Sequence, residues 1–347
     1  MVKPLENALQ IAISDKEIQA YLQRHPFGIG HRSDFNQTAL SSLRCALRFR
    51  PQSPPSDCQL ADPAKPDLTP EEVSGIQSWF EQLAVEESQR LWAWRSLVWK
   101  ICRIPRTARS VLSIGCGGGI ELILIRALLP QAELVAVDFD DKVPPNVKTA
   151  LDLRFNQAHF NDFLGANQEQ FDLVFCNHVL EHLFEPDVTL GLVRCSLKSG
   201  GSLVAGLPIE GCSDGVFASS MRRMASRPGA LHMLDIGVLD AGHAWKTNPA
   251  DLKATLQKQG FDRIQLHLRK PQGGLTDTMV RKLGLILYAC SFGAVRESLK
   301  FLSPGLGAAG LVSWFLAAER RCWFGANRLK NRFAKEILVL AQAAGAD

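Results

Sequence analysis

A cluster of glycines is the first feature of this sequence that could do chemistry. Residues 111–119 read VLSIGCGGG, an apolar run followed by Gly115, Gly117 and Gly119, and an apolar helical pattern comes next. Glycines there permit a tight turn and a close approach of the backbone to a ligand, while the helix N-terminus offers unpaired N–H groups. Asp138, nineteen positions after Gly119, ends the next apolar run and could accept hydrogen bonds from ribose hydroxyls. The pattern predicts a site for a nucleoside-containing ligand.

A second group of polar residues follows a later apolar run. His178, Glu181 and His182 have the spacing i, i+3 and i+4, so one helix face could present all three. His243 lies further along the chain, and the pKa range of imidazole suits either a general base or a group that positions an acceptor. We expect these four residues near the mouth of an active site.

Seven apolar runs separated by helical patterns must position these residues. They predict strands at Val111–Ile114, Leu134–Val137, Asp152–Phe155, Phe171–Cys176, Gly201–Leu207, the alternating residues of 264–268, and Glu336–Ala341. Strands alternating with helices are typical of parallel βαβ units. We therefore predict an α/β fold with a Rossmann-like, seven-stranded, mostly parallel sheet and flanking helices.

The region ahead of the first of these strands has a different pattern. Arg50–Pro70 holds six prolines and is predicted to be a linker. Thr69, with a proline after it and Glu72 three residues on, has the signature of a capped helix N-terminus. Apolar residues at helical spacing over Glu71–Lys100 predict a long amphipathic helix with room for one break.

These patterns divide the chain into two regions. Residues 1–104 are predicted to be a helical N-terminal extension and linker, and residues 105–347 the main domain, with a hydrophobic helical insertion at about 270–335. The insertion pairs apolar stretches with a basic, aromatic-bearing run. A helical lid that closes over substrate is the favoured interpretation, and a peripheral contact with a membrane interface is the alternative. Both favour an apolar or lipid-linked acceptor over a highly charged one.

The composition excludes several classes of protein. The 39 basic residues balance 35 acidic ones, so we expect no nucleic-acid partner on grounds of charge. The nine cysteines include no CxxC pair, which excludes a zinc module or a disulfide framework and suits a reducing cytosol. Cys116 and Cys176 are expected to be packing residues rather than nucleophiles. The sequence has no apolar leader and no apolar run of roughly 18 residues, and a cytoplasmic location is expected.

Two classes of nucleoside ligand compete for the glycine cluster. A dinucleotide-binding fingerprint places glycine at its first, third and sixth positions. Counted from Gly115, the sixth position here is Ile120. The dinucleotide interpretation thus fails where tight helix–strand packing is needed. A nicotinamide-dependent oxidoreductase stays as an alternative hypothesis.

In its motifs the chain resembles the class I S-adenosylmethionine-dependent methyltransferases, in particular their small-molecule group of types 11 and 23. The motifs of that group run VLDxGCGxG, then LEH, then GH…L…GF. Here they read VLSIGCGGG, NHVLEHLFEPD over 177–187, and GHAWKTNPADLKATLQKQGF over 242–261. The resemblance covers about residues 108–268 and the last strand. One departure is Ser113, where the family usually has an acid that helps to hold the methionine end of the cofactor.

The resemblance implies S-adenosylmethionine as the cofactor, with a methyl group moved by in-line displacement to O, N or C of a small-molecule, glycan or lipid-linked acceptor. The implied cofactor-binding residues are Gly115, Cys116, Gly117, Gly119, Asp138, Phe139, Asp162, Asn177 and His178. His243 is the implied catalytic residue. Some relatives bind a divalent metal through an ExxEH…H arrangement, which here would use Glu181 and His182 with His178 and His243; helix positioning is the favoured role. A non-catalytic, membrane-associated module is a further alternative.

Overall fold

The computed structural model describes residues 56–63, 65–208, 245–269 and 336–344. Apart from 245–248, these residues belong to one compact unit that comprises Pro55–Pro208, Pro249–Arg269 and Glu336–Asp347. His243, the insertion at about 270–335 and the first 55 residues lie outside the described ranges, and so the predictions made for them stay predictions. Among the described residues, no helix has both the length and the apolar character that crossing a bilayer requires.

The unit is built on one sheet of eight strands in the order β1-β7-β8-β6-β5-β2-β3-β4. The strands are β1 Gln59–Ala61, β2 Ser110–Ile114, β3 Glu133–Asp138, β4 Leu153–Gln157, β5 Phe171–Asn177, β6 Leu197–Pro208, β7 Phe261–Arg269 and β8 Glu336–Ala343. Strand β8 runs antiparallel to β6 and β7, and the other neighbouring pairs are parallel. The predicted α/β Rossmann-like fold with a mostly parallel sheet is confirmed.

Helices follow most of the strands, as parallel crossovers require. They are α1 Pro70–Gln82, α2 Glu87–Ser96, α3 Val98–Ile101, α4 Ile120–Leu128, α5 Pro145–Ala150, α6 Phe160–Ala166, α7 Pro186–Ser196 and α8 Pro249–Lys258, with a 3-10 helix at Leu180–His182. The predicted cap of α1 is present: Glu72 N–H donates to the Thr69 side chain at 3.2 Å, and Thr69 N–H donates to the Glu72 carboxylate at 3.0 Å.

The predicted count of seven strands is wrong by one. Strand β1 lies inside the proline-rich stretch that the sequence predicts to be a linker, and it pairs in parallel with β7 at the edge of the sheet. Three residues are too few to show a period of two, and their partner lies some 200 positions away in the chain. Only tertiary pairing makes this segment a strand.

The long helix predicted over Glu71–Lys100 is three helices instead of one with a single break. Its first interruption follows α1, where Ala84 has a φ of 49°. The Arg90 guanidinium donates to the main-chain oxygens of Phe80, at 3.0 Å, and Val85, at 2.6 Å. A side chain of α2 thus contacts the main chain of the turn that ends α1, where Phe80 O also accepts from Val85 N–H at 2.9 Å.

The segment before β2 shares its core with the sheet. Ile76, Phe80 and Trp99 are at most 1% exposed and belong to the same apolar cluster as Leu122 of α4 and Leu173 of β5. Burying one such side chain contributes about 1.5–3 kcal/mol. Helices α1 and α3 therefore help to hold α4, and with it the glycine loop that precedes α4, against the sheet.

Candidate functional site

The register of the sheet brings three distant parts of the chain to one edge. Ile114, the last residue of β2, pairs with β3 on one side and β5 on the other, in each case one residue before that strand ends. Gly115, Asp138 and Asn177 therefore lie side by side at the carboxyl ends of three parallel strands. The chain continues from β2 to β3 on one side, whereas β5 and β6 lie on the other. Open α/β sheets bind their ligands at such a switch point.

The loop after β2 needs its glycines for conformation and for space. Gly115, Gly117 and Gly119 have φ values of 69°, 50° and 81°, a region that disfavours other residues. A Cβ on Gly115 would lie 2.3 Å from Val179 Cγ2, whereas a Cβ on Gly117 or Gly118 would meet nothing within 4 Å. The loop is thus packed at its start and open beside Gly117 and Gly118, as a backbone cradle for a ligand requires.

Asp138 is held toward this loop by main-chain donors. Gly117 N–H donates to its Oδ2 at 2.9 Å, and Asp140 N–H donates to its Oδ1 at 3.2 Å. Each carboxylate oxygen can accept more than one hydrogen bond. The side chain is therefore fixed in place and keeps acceptor capacity for hydroxyl groups.

A group of rings follows Asp138. Phe139 lies 4.3 Å from Phe160 and 5.4 Å from His159, measured between ring centroids. Asp162 lies in the first turn of α6, where His159 Nδ1 accepts from Asn161 N–H and caps the helix. Asp162 is exposed. An acid is favoured in a first helical turn by the helix dipole, so its position there has a structural reason as well.

A buried cluster of charges lies on the β5 side of the loop. Lys100 of α3 is fully buried, forms an ion pair with Glu336 at the start of β8, and donates to Asn177 Oδ1. Arg269, the last residue of β7, also reaches Glu336, with 3.1 Å between Nη1 and Oε2. Burial lowers the pKa of Lys100 and the Glu336 carboxylate opposes this lowering. Burial would raise the pKa of Glu336, but His178 and Lys100 outweigh it and lower that pKa to about 2.

The close approach of these groups depends on Gly206 of β6. A Cβ there would lie 2.6 Å from Asn177 Oδ1 and 2.9 Å from Lys100 Nζ. Asn177 is 8% exposed and its side-chain oxygen is already used by Lys100. The side chain of Asn177 therefore anchors the end of β5.

His178 follows β5 in a left-handed conformation, with a φ of 55°. Its Nδ1 lies 2.9 Å from Glu181 Oε1 and its Nε2 lies 2.8 Å from Glu336 Oε1, while the side chain is 42% exposed. Desolvation would lower the pKa of His178, but the hydrogen bonds to Glu181 and Glu336 outweigh it and raise that pKa. With a carboxylate at each ring nitrogen, the arrangement favours the imidazolium form.

The prediction that one helix face presents His178, Glu181 and His182 is wrong. His178 precedes a single 3-10 turn that contains the other two residues. Glu181 is 1% exposed, and its Oε2 has no hydrogen-bond partner within the part of the chain that is described. Over those same ranges, no three His, Cys, Asp or Glu side chains are placed to hold a metal ion. The contact observed for the Glu181 carboxylate is with the His178 ring.

Position 113, where the family usually has an acid, is part of a second buried polar pair. Ser113 Oγ donates to Glu121 Oε1 at 2.5 Å, and the two residues are 0% and 5% exposed. Burial raises the pKa of Glu121 to about 8, although the hydrogen bond from Ser113 lowers it. A carboxyl group from the first turn of α4 is thus hydrogen-bonded to the strand that precedes the glycine loop.

The two cysteines of the site are buried and unsuited to nucleophilic attack. Burial raises the pKa values of the Cys116 and Cys176 thiols, and the nearby Glu121 carboxyl adds to the effect. The thiolate is the reactive form of cysteine. Both side chains are therefore kept as neutral thiols, in agreement with the expected packing role.

Sequence reasoning missed the charged residues that support this edge. Lys100, Glu121, Arg269 and Glu336 come from α3, α4, β7 and β8, and no motif links them. The available signal was weak: Glu121 interrupts an otherwise apolar helical run, and Glu336 directly precedes the apolar run of the last strand.

Comparison with known families decides the assignment of the domain. A family model described as a methyltransferase domain matches residues 85–266, which is half of the chain. The chain belongs to this methyltransferase family. Its motifs and its mostly parallel sheet are those of the class I, type 11 and 23 group.

Several curated relatives of this methyltransferase are named ubiquinone biosynthesis O-methyltransferase. One from Xylella fastidiosa (strain 9a5c) is 27% identical over 182 residues, which cover 49% of this chain and 66% of the relative. The one from Caulobacter vibrioides is 32% identical over 108 residues, covering 28% and 40%. The chain thus spans just under two thirds of the first relative's length. A solved methyltransferase from Archaeoglobus fulgidus is 15% identical, with a TM-score of 0.41 and coverage of 77% of this chain and 98% of the other.

Proposed function

We propose that this protein transfers a methyl group from S-adenosylmethionine to a hydroxyl oxygen of a small-molecule acceptor. One observation carries the proposal: Asp138 is held by main-chain N–H groups beside a glycine loop whose middle is open, on the strand next to that loop. This is an arrangement for a ribose next to a backbone cradle. The names of the curated relatives support an oxygen acceptor.

The residues present fit the cofactor part by part. Open space beside Gly117 and Gly118 admits the ligand, and the remaining lone pairs of Asp138 suit ribose hydroxyls. The other assignments are carried from the family's pattern: Gly115, Cys116 and Gly119 line the loop, Phe139 covers one face of the adenine, Asp162 meets its exocyclic amine, and Asn177 and His178 lie toward the methionine portion.

The chemistry places modest demands on the protein. The sulfonium of the bound cofactor supplies an already activated methyl group. The chain's own residues must align the acceptor oxygen with that methyl group and keep water away from it. A base is needed only when the acceptor hydroxyl is poorly ionised.

The choice of base follows from the charges around His178. Both of its ring nitrogens face carboxylates that favour the protonated form, so His178 is not free to take a proton from an acceptor. We therefore propose His243, which lies outside the described residues, as the general base or the group that positions the acceptor. His178 would serve to hold the end of β5 next to the cofactor.

Calorimetric titration tests the cofactor half of this proposal. We expect binding of both S-adenosylmethionine and S-adenosylhomocysteine, weakened about tenfold or more by Asp138→Ala and less by Asp138→Asn, which keeps one acceptor oxygen. Substitution of the exposed Glu81 by Gln is the matched control and should change nothing. Binding of NAD(H) without binding of S-adenosylhomocysteine would replace the proposal by an oxidoreductase. Absence of both would favour a non-catalytic module.

The acceptor half needs a separate experiment. Incubation with methyl-labelled cofactor and fractionated small-molecule extracts, with mass spectrometry of the labelled product, identifies the acceptor and its atom. We expect the labelled methyl group to be attached to an oxygen atom of the acceptor, as a methyl ether. His243→Ala should slow the labelling without changing the affinity for S-adenosylhomocysteine. Label on nitrogen or carbon would refute the oxygen assignment, and label on a glycan or a lipid-linked compound would refute the small-molecule assignment. Either result would leave the cofactor assignment intact.

A further inference from the structure

Glu121 is a buried acid in an apolar helix. It occupies the first turn of α4, directly after the glycine loop, and is 5% exposed within the run IELILIRAL. Every other residue in the first four positions of that helix is isoleucine or leucine. A buried carboxyl in such a position destabilises the fold unless a partner satisfies it. Its presence calls for a ligand or a neighbour that uses the charge.

The hydrogen bond from Ser113 holds this carboxyl group next to the glycine loop. Ser113 lies in strand β2, two residues before Gly115, and donates to Glu121 Oε1. Strand β2 lies between β3 and β5 in the sheet, and so the Glu121 carboxyl group is held at the strand that leads into the glycine loop. The charged groups that influence its pKa are Lys100 from α3, Asp138 from β3 and His178 after β5.

None of these neighbours neutralises Glu121. The Lys100 ammonium is engaged by Glu336 and Asn177. The imidazole of His178 lies between Glu181 and Glu336, each of its ring nitrogens within 3 Å of one of the two carboxylates. The hydroxyl of Ser113 offers a single uncharged donor. Accordingly, burial is the leading influence on Glu121 and raises its pKa.

We propose that Glu121 is the anionic partner for the ammonium group of the amino-acid portion of the cofactor. This inference rests on the proposed function. The family's acid at position 113 is replaced here by Ser113, and its carboxylate is supplied from α4 by Glu121, with Ser113 as the donor that orients it. An ammonium group that enters the cleft provides the cation that the protein alone lacks. The proton that Glu121 carries before binding then leaves to solvent.

Two ligands that differ only in the amino-acid portion separate this role from a structural one. S-adenosylhomocysteine carries the ammonium group, and 5′-methylthioadenosine keeps the nucleoside and the sulfur but lacks the amino acid. For Glu121→Gln we expect the Kd of S-adenosylhomocysteine to rise about tenfold or more. The Kd of 5′-methylthioadenosine, measured by competition or direct calorimetry, should stay within about twofold.

A rescue variant makes the test specific. In Ser113→Asp/Glu121→Gln the acid returns to the strand, and we expect most of the lost affinity for S-adenosylhomocysteine to return. Ser113→Ala is the control that removes the donor and keeps the Glu121 carboxyl. Circular dichroism and thermal unfolding of each variant check that it is folded.

Each outcome decides between the possibilities. Equal loss of affinity for both ligands in a folded Glu121→Gln protein would mean that Glu121 only shapes the loop, and unchanged affinity for both would mean that it has no role in binding. Either result overturns the inference. If the unaltered protein binds neither ligand, the proposed function itself fails, and the two failures are distinguishable.

Discussion

The raised pKa of Glu121 predicts how the stability of the ligand-free protein changes with pH. In the folded chain this pKa is about 8, against 4.5 for an unperturbed glutamate. A carboxyl whose pKa is raised by folding contributes fully below the unfolded value, and its contribution is lost as the pH rises through the folded value. Wild-type protein should therefore lose stability between about pH 4.5 and pH 8, whereas Glu121→Gln has no such titration.

The size of the effect follows from the interval between the two pKa values. At 1.36 kcal/mol per pKa unit, the interval corresponds to a decrease of about 5 kcal/mol in the free energy of unfolding once Glu121 is ionised in both the folded and the unfolded chain. By pH 7 the loss is already about 3 kcal/mol, because the unfolded chain is then fully ionised and the folded chain is not. Glu121 is almost completely buried, so solvent does not screen this contribution.

Urea unfolding of the two proteins measures the difference directly. The free energy of unfolding of Glu121→Gln minus that of wild type should grow by several kcal/mol from about pH 5 to pH 9. The other groups near Glu121 with shifted pKa values are present in both proteins, so much of their own titration cancels in the difference; they are Lys100, Cys116, Cys176 and His178. Exposed Glu81→Gln is the control. If the free energies of unfolding of wild type and Glu121→Gln changed in parallel with pH, burial would not raise the pKa of Glu121 as stated.

Three further perturbations test the supporting structure. Glu336→Gln leaves the buried Lys100 charge without its anionic partner and should lower the free energy of unfolding by about 3–5 kcal/mol; the double variant Lys100→Met/Glu336→Leu should recover much of that loss. Gly115→Ala drives a Cβ into Val179 at a positive φ and should cost more than about 2 kcal/mol, whereas Gly118→Ala points into open space and should stay within about 0.5 kcal/mol of wild type. Thr69→Ala removes the capping box of α1 and should cost about 1 kcal/mol, read from thermal unfolding; no change would mean that the cap adds nothing to the folded state.

Local patterns in the sequence predicted most of the sheet. Five of the strands contain near-continuous apolar runs, because a strand covered by helices on both faces must be apolar, and β4 and β7 show alternation instead. The glycine loop was equally predictable from the sequence, since positive φ values at Gly115, Gly117 and Gly119 restrict the residue type. The capping box of α1 uses residues only three apart in the chain.

The elements that escaped prediction depend on distant partners. Strand β1 exists through its pairing with β7. The turn that ends α1 is contacted by the side chain of Arg90 from the next helix. The buried charges of Lys100 and Glu336 are in contact although they lie more than 200 positions apart in the chain. Hydrophobic periodicity carries no information about such pairs, because a charged residue on an apolar face gives the same sequence pattern with or without an oppositely charged partner nearby.

By itself, the sequence determined the class of fold, the glycine loop and the acid at the end of the neighbouring strand, because backbone conformation and strand burial restrict residue type locally. The tertiary structure alone decided which side chains are already engaged: Asn177 by Lys100, His178 by two carboxylates, and Glu121 by Ser113. Charge and hydrogen-bonding capacity are set by neighbours in space. The roles of the polar residues at this edge therefore follow from packing, even where a motif predicted their presence.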